Sequence, residues 1–348
     1  MSKTIILLAT LMAVAFAANG TNTICKQGNI VNMQFNSKPY YFPSSWSENQ
    51  TAPQLEKHQS CSWTVTVPQG YYAKLIIDGK TQDVDSRFET IDAAGNFIQS
   101  RHEKREPYYF PSPKFTFAVT NGANLTTLGF KIVWAPFPKT FGDSISAIGH
   151  MPRIYNATNS VYKSAYSTST QVSILPFPAD PKNLYALRSA LVFDGYDLTG
   201  SYMSNLYLIA KTRKQFISRG SSIFVINVEP TSNSSDTLYV QNYVYTKDIN
   251  EYVELNCAAG NVTCSVELNG GSQKSAVVTV ELRTEIITNI AMENNATLSI
   301  YGGSPNDMCF IATYNSTEVK AALPISTMGL GNQYVISHGK AAFTFNVR

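Results

Sequence analysis

What this sequence has little of narrows its function first. Charged residues make up only 15% of the 348 residues, and its lysines and arginines are scattered, for a formal net charge of +3. No basic face of the kind that grips nucleic acid or an anionic membrane follows from that pattern. The densest basic group, Lys211, Arg213, Lys214 and Arg219, falls in a polar connection and reads as a solvated loop. Histidine is scarce: His58, His102, His150 and His338 are the full set, and none stands in a zinc or nucleophile context. The run His102-Glu103-Lys104-Arg105-Glu106 opens like a zinc-protease helix, but Glu106 occupies the place of the second histidine. There is no Gly-x-Ser-x-Gly elbow, no phosphate-cradling glycine loop and no Cys-x-x-Cys pair. After the first few residues no apolar run reaches spanning length, and the end, Phe343-Thr344-Phe345-Asn346-Val347-Arg348, is no lipid-anchor signal. These absences argue against an enzyme, a cofactor protein and a membrane span.

What is there begins at the N-terminus. Lys3 precedes an apolar run at residues 5–16 broken only by Thr10, and Ala15-Phe16-Ala17 is a small-x-small cleavage signature. Residues 1–17 read as a secretory signal peptide, which implies an extracellular, oxidising destination. Asn-x-Ser/Thr triplets at Asn49, Asn124, Asn156, Asn233, Asn261, Asn295 and Asn315 are expected to carry glycans. An eighth triplet, at Asn19, sits too close to the cleavage site to be used.

The body of the chain is patterned for strands. Ser62-Trp63-Thr64-Val65-Thr66-Val67, Phe115-Thr116-Phe117-Ala118-Val119 and Phe130-Lys131-Ile132-Val133-Trp134 alternate at period two. Similar runs follow at 223–228, 238–245, 276–282, 298–301 and 343–347, while short helices are expected only at 204–211 and 316–322. This predicts an all-β protein of tandem antiparallel β-sandwich units with little helix. The Pro-restricted stretch Trp134-Ala135-Pro136-Phe137-Pro138 reads as a domain exit, so the units are placed at 18–138, 139–247 and 248–348. A faint repeat matches residues 61–77 with 264–280 and 90–95 with 299–303, with 172–176 and 191–195 as middle counterparts.

Five cysteines leave one over. Cys25 and Cys61 flank the opening strands of the first unit and are expected to pair. Cys257–Cys264 would close a small loop, with Cys264–Cys309 as the rival pairing. In the first case Cys309 is either a buried free thiol or a bridge to another molecule. The aromatic groups Tyr40-Tyr41-Phe42-Pro43 with Trp46, and Tyr108-Tyr109-Phe110-Pro111, read as loop clusters. Tyr40, Tyr41, Trp46 and Tyr109 are the candidate ligand contacts, unless they only cap the open ends of the sandwich.

Cys25, Cys61 with Trp63, Val67-Pro68-x-Gly70-Tyr71 and the Asp85…Glu89…Asp92…Gly95 stretch together carry a family likeness. So do Glu106-x-Tyr108-Tyr109-Phe110, Gly129-Phe130-x-Ile132-x-Trp134 and the Pro136-x-Pro138 exit. Over residues 25–138 the chain resembles the nematode-expanded CUB-like family of secreted proteins and, more distantly, CUB domains. The resemblance implies jelly-roll-like sandwiches and an extracellular binding role: microbial surfaces, glycans or extracellular proteins, in innate defence. The alternatives are a structural component of an extracellular layer that assembles through Cys309, and third a secreted hydrolase. Because many CUB domains bind Ca²⁺, the likeness also makes Asp83, Asp85 and Glu89 candidate metal ligands. Val84 stands where a tyrosine is expected, the Asp85-to-Glu89 spacing is one residue long, and Asn121 replaces a late aspartate. A solvated acidic loop is therefore the favoured reading of that stretch.

Overall fold

The computed structural model describes residues 23–123, 125–139, 144–231, 235–257, 260 and 262–348. The leader 1–17 and the triplet residues Asn19, Asn124, Asn233 and Asn261 lie outside the described residues. The first unit threads β1 (Asn29–Val31), β2 (Tyr40–Phe42), β3 (Ser60–Thr66), β4 (Tyr71–Lys80) and β5 (Arg87–Ile91). It continues through β6 (Phe97–Ser100), β7 (His102–Lys104), β8 (Tyr108–Pro111), β9 (Lys114–Thr120) and β10 (Thr127–Pro136). One sheet runs β1-β3-β9-β5-β6; the other runs β2-β10-β4-β7, with β8 also on β4. All pairs are antiparallel except β1 with β3. Strand periodicity builds the core between the sheets: Cys61, Trp63 and Val65 of β3 and Phe115, Phe117 and Val119 of β9 are buried while their neighbours are not. Trp63 sits at its centre, with ring centroids 4.8 Å from Phe42, 4.8 Å from Phe130 and 5.6 Å from Phe117.

The same plan recurs twice. The second unit comprises β11 (Ser144–Ala147), β12 (Arg153–Asn156), β13 (Tyr162–Ser167), β14 (Val172–Phe177), β15 (Ala190–Asp194) and β16 (Tyr202–Asn205). It ends with helix α1 (Leu206–Ala210), β17 (Phe216–Ile217), β18 (Ser222–Asn227) and β19 (Thr237–Asn242). The third comprises β20 (Ile249–Glu254), β21 (Val262–Asn269), β22 (Lys274–Val278), β23 (Arg283–Met292), β24 (Thr297–Tyr301) and β25 (Phe310–Asn315). It ends with helix α2 (Glu318–Ala322), β26 (Ile325–Gly329), β27 (Gln333–Ile336) and β28 (Lys340–Val347). The leading sheets, β11-β13-β18-β15-β16 and β20-β22-β27-β24-β25, keep the order of the first unit's leading sheet. Each again has its first strand parallel to the second. The trailing sheets, β12-β19-β14-β17 and β21-β28-β23-β26, repeat the first unit's other sheet.

This register corrects the repeat read from the sequence. Residues 61–66 lie on β3, whose counterpart in the third unit is β22, whereas 264–268 lie on β21, the counterpart of β2. The match of 61–77 with 264–280 is therefore slipped by one strand, because two successive apolar alternating strands look alike without their partners. The pairing of 90–91 with 299–301, on β5 and β24, is in step.

The six sheets stack. On the trailing sheet of the first unit Tyr72 and Tyr109 pack against Leu191, Phe193, Phe224 and Ile226 of the second unit's leading sheet. On the second unit's trailing sheet Leu175, Phe177 and Tyr239 pack against Tyr252, Ala276, Val278 and Val335 of the third. The middle unit is thus covered on both faces of both sheets. That is why β14 and β18 are buried at every position, while β3 and β9 alternate. Phe137, expected in a domain exit, is a wedge in the first junction, 5.6 Å from the Tyr72 ring and 6.3 Å from that of Phe193. Among the described residues no helix is long and apolar enough to cross a membrane.

Candidate functional site

The aromatic groups are strands, not loops. Tyr40, Tyr41 and Phe42 form β2, and Tyr108 to Pro111 form β8. Trp46 is only 4% exposed, because Gly129 of β10 leaves room for it: a Cβ there would lie 2.5 Å from the indole ring. Its Nε1 donates to the Gln50 carbonyl at 3.3 Å. Tyr40 turns inward toward Phe130, centroids 6.0 Å apart, and burial raises its phenol pKa although a hydrogen bond with Trp63 opposes the rise. Tyr41 is half-buried beside Trp46 at 6.5 Å, with the Lys131 ammonium 5.8 Å from its ring centroid. Lys131 pairs with Glu48 at 2.7 Å, and that pairing outweighs the burial that would depress its charge. Of this group Trp46 is enclosed, while Tyr40 and Tyr41 are half-buried and Tyr41 faces Lys131.

Tyr109 is 4% exposed because it belongs to the first junction. Its hydroxyl donates to Glu229 of the second unit at 2.7 Å, and Lys74 Nζ meets the same carboxylate at 2.6 Å. Burial, then the Glu229 hydrogen bond, pushes the phenol far up. Beside it Arg188 of the second unit is 2% exposed. Its Nη2 donates to Tyr108 Oη at 2.8 Å and its Nη1 to the Glu106 carbonyl at 3.1 Å. Glu103 Oε2 lies 3.8 Å away, and Glu103 also accepts the Tyr108 hydroxyl at 2.7 Å. The guanidinium stacks 3.6 Å from the Tyr108 ring centroid, with Tyr185 at 4.4 Å and Tyr207 at 4.7 Å. This ion pair is desolvated and joins two units, and the zinc-protease-like run 102–106 supplies Glu103 and the Glu106 carbonyl to it.

The acidic stretch does not fit a calcium site. Asp83 accepts the Ser86 hydroxyl at 3.1 Å, Asp85 is exposed, and Glu89 is paired with Arg87. Asn121 spends its amide on the Glu56 carbonyl. Carboxylates already engaged with a hydroxyl and a guanidinium do not converge as the oxygen set a hard cation takes. Among the described residues no group of three or more His, Cys, Asp or Glu is placed to hold a metal. The triplet residues Asn49, Asn156, Asn295 and Asn315 are all exposed.

The cysteines form Cys25–Cys61 and Cys257–Cys264, with Cα atoms 5.7 and 6.0 Å apart. Cys309 is free and buried. It lies in the second junction, its Sγ 3.4 Å from Met151 Sδ of the second unit. The buried-thiol alternative therefore describes it, and a bridge to another molecule is blocked unless the junction opens.

Around that thiol lies an exposed apolar surface that the reading of the sequence did not single out. Met308 is 75% exposed, and Phe310, Ile311 and Met151 are each about half exposed. They share one place: Met151 reaches Gly303 and Cys309, Ile311 lies over Gly302, and Phe310 is 5.9 Å from the Tyr301 ring. β25 is the free edge of its sheet, and a bulge at Ile300/Tyr301 throws Phe310 and Ile311 outward together. A flexible, polarizable patch of Met and aromatic residues on a strand edge suits contact with another protein. The signal was present in the run Met308-Cys309-Phe310-Ile311, but strand alternation alone would have buried part of it.

Comparisons with known proteins follow the same division into units. Residues 21–138 match the CUB-like domain family. Residues 144–228 match the family described as Domain of unknown function (DUF7592), and 244–348 that described as Domain of unknown function (DUF7591). Both regions nevertheless repeat the strand order of the CUB-like unit. Comparison with curated proteins returns no match. Among solved structures the chain is similar to the CUB1-EGF-CUB2 domain of human MASP-1/3, at 9% identity and TM-score 0.22, covering 54% of this chain and 94% of that one. The CUB1-EGF-CUB2 domains of rat MASP-1 align at 7% identity and TM-score 0.24, covering 61% and 99%. The full extracellular region of zebrafish Gpr126/Adgrg6 aligns at 7% identity and TM-score 0.26, covering 94% and 53%. Likenesses at this level assign no function to the chain.

Proposed function

We propose that this is a secreted, glycosylated, non-enzymatic interaction protein, three CUB-like units docked into one arm that holds an extracellular protein partner. The observation that carries the reading is the exposed Met151, Met308, Phe310 and Ile311 surface on the free edge of β25. The β25 surface is preferred to the aromatic candidates because two of those four candidate ligand contacts, Trp46 and Tyr109, are inside the fold, and its Met and aromatic side chains suit a protein partner better than a glycan. The CUB-like match supports the extracellular setting, and a role in defence against microbes rests on that resemblance. Calcium is not part of the proposal.

The test is binding of the purified secreted chain to whole bacteria, a glycan array and an extracellular-protein library, with Ca²⁺ and with EDTA. Saturable binding to a protein, indifferent to EDTA and lost in Phe310→Glu, is the expected result. Binding only to glycans, unaffected by Phe310→Glu, would move the site to Tyr41 and Lys131. No binding in any of the three formats would overturn the reading.

A further inference from the structure

A concavity lies between the second and third units, away from the β25 edge. It is a cleft of about 380 Å³, within the roughly 300–1,000 Å³ range of small-molecule sites, which favour domain interfaces. Its walls are apolar: Phe177 at the end of β14, Pro181 and Leu184 in the following loop, and Ile209 on α1. Tyr252 of β20 closes it from the third unit, and its backbone N–H donates to the Arg213 carbonyl at 3.0 Å. At the mouth stand Lys211, Arg213 and Lys214, all exposed.

Local structure places those three cations together. α1 ends at Ala210, and Thr212 and Arg213 donate back to the carbonyls of Ile209 and Ala210. Arg213 then takes a left-handed conformation, φ 53°. The chain reverses over the cleft, so Lys211, Arg213 and Lys214 of the basic group border an apolar hollow, while Arg219 lies outside its lining. Lys211 is hydrogen-bonded to Tyr207 Oη at 3.2 Å. Among the described residues the side chains of Arg213 and Lys214 have no acidic partner. Apolar walls with unpaired cations at one end are complementary to a molecule with an apolar body and an anionic head.

We infer that this cleft binds a small anionic amphiphile, its apolar part between Phe177, Leu184 and Ile209 and its carboxylate, sulfonate or phosphate against Arg213 and Lys214. The inference goes beyond the partner-binding reading and does not depend on it. Glu254 lines the opposite side. Burial pushes its carboxyl up to about 7, with Arg283 opposing and Asp236 reinforcing the rise. The charged groups facing the bound head are therefore Lys211, Arg213 and Lys214 from the turn and Glu254 from β20. Protonation of Glu254 removes the one negative charge among them, so affinity for an anion should strengthen as pH falls from 8 to 6.

The experiment titrates the purified full chain with 8-anilinonaphthalene-1-sulfonate and displaces it with decanoate, decyl phosphate or the uncharged decanol. One saturable site is expected, with decanoate binding at least tenfold more tightly than decanol; decyl phosphate tells whether a phosphate head is preferred. Arg213→Glu with Lys214→Glu should weaken decanoate tenfold or more and leave decanol unchanged. Leu184→Trp, which fills the apolar part of the cleft, should abolish the site with the thermal midpoint retained. Equal binding of decanoate and decanol, unchanged affinity in the charge-reversed variant, or no saturable site would overturn the inference. A dye signal lost in Phe310→Glu but kept in Leu184→Trp would also overturn it, by placing the dye on the β25 edge. Protein-partner binding retained in Arg213→Glu/Lys214→Glu keeps the two readings separate.

Discussion

Replacing Arg188 by methionine should loosen the first junction more than any surface change can. The side chain is 2% exposed, stacked on three tyrosines, and the opposing Glu103 is 4% exposed. Removing one partner of a buried ion pair strands the other and costs about 3–5 kcal/mol. The two hydrogen bonds Arg188 gives to Tyr108 Oη and the Glu106 carbonyl are part of that figure, not additional to it. An apolar pair removes the stranded charge but leaves the Tyr108 hydroxyl and the Glu106 carbonyl without these partners, so Arg188→Met with Glu103→Met should recover part of the loss and end within about 1–3 kcal/mol of the parent. Urea unfolding followed by tryptophan emission is a suitable assay, since Trp46, Trp63 and Trp134 are the protein's three tryptophans and all lie in the first unit. A second signature separates electrostatics from packing. Burial would raise the Tyr207 phenol, but the charge and hydrogen bond of Arg188, with help from Lys211, hold it below its ordinary value. Arg188→Met should therefore move the Tyr207 titration upward. A single variant within about 1 kcal/mol of the parent, or a double variant no better than the single, would refute the desolvated-pair argument.

Other consequences are open to direct measurement. Glu254 has a folded-state carboxyl raised to about 7 from 4.5, and Glu285 is raised as well, mainly by burial. The folded chain then holds protons that the unfolded chain releases, so stability should fall as pH rises from about 4.5 to 7, by up to about 3 kcal/mol, and level off above. Urea midpoints at pH 5, 6, 7 and 8 would check this; Glu254→Gln should flatten the slope, and a flat parent profile would contradict it. Gly129→Ala forces a Cβ to within 2.5 Å of the Trp46 ring. A cost of about 1–3 kcal/mol and a shifted tryptophan emission are expected, whereas an unchanged midpoint would mean that the segment carrying Trp46 yields easily.

Much of the fold was legible because a strand covered on one face writes its period into the sequence. β3 and β9 are such strands: their period-two alternation was read from the sequence, and it is the pattern that buries Trp63 and Phe117. The same logic fails in the middle unit. Val172-Ser173-Ile174-Leu175-Pro176-Phe177 is buried at every position because a second sheet lies outside it, and a continuous apolar run does not say what covers it. The aromatic candidates were misread for a related reason. Phe42-Pro43 and Phe110-Pro111 look like loop punctuation, yet β2 and β8 each run in antiparallel register beside longer strands. Tyr109 needed its partner Glu229, 120 residues away, to be recognised as a junction residue. The cleft was half-visible: its cations were singled out, but its apolar walls come from β14, α1 and β20, which only the docking of two units brings together.

That docking also changes how binding by repeated units must be understood. Modules on flexible linkers gain by effective concentration, whereas docked modules present one surface of fixed shape and avoid the cost of ordering it. The β25 patch is such a surface, since Met151 comes from the second unit and Met308, Phe310 and Ile311 from the third. Its integrity depends on Tyr239, which is fully buried in the second junction. The phenol donates to the Gly331 carbonyl at 3.1 Å and accepts from Gln333 Nε2 at 2.9 Å. Tyr239→Phe keeps the ring packing but strands the Gly331 carbonyl and leaves Gln333 Nε2 with Gln241 alone, at a cost of about 1–3 kcal/mol. Cys309 reports the outcome, because its thiol is sealed against Met151 at the same junction. In the parent it should react with a bulky disulfide reagent only on unfolding, and the chain should run as a monomer on a non-reducing gel. In Tyr239→Phe the thiol should become reactive under native conditions, and binding through the patch should weaken although no contact residue has changed. If the thiol opens and binding does not weaken, the patch does not act as one surface across the junction. If the parent thiol reacts freely, the two units are not docked as described.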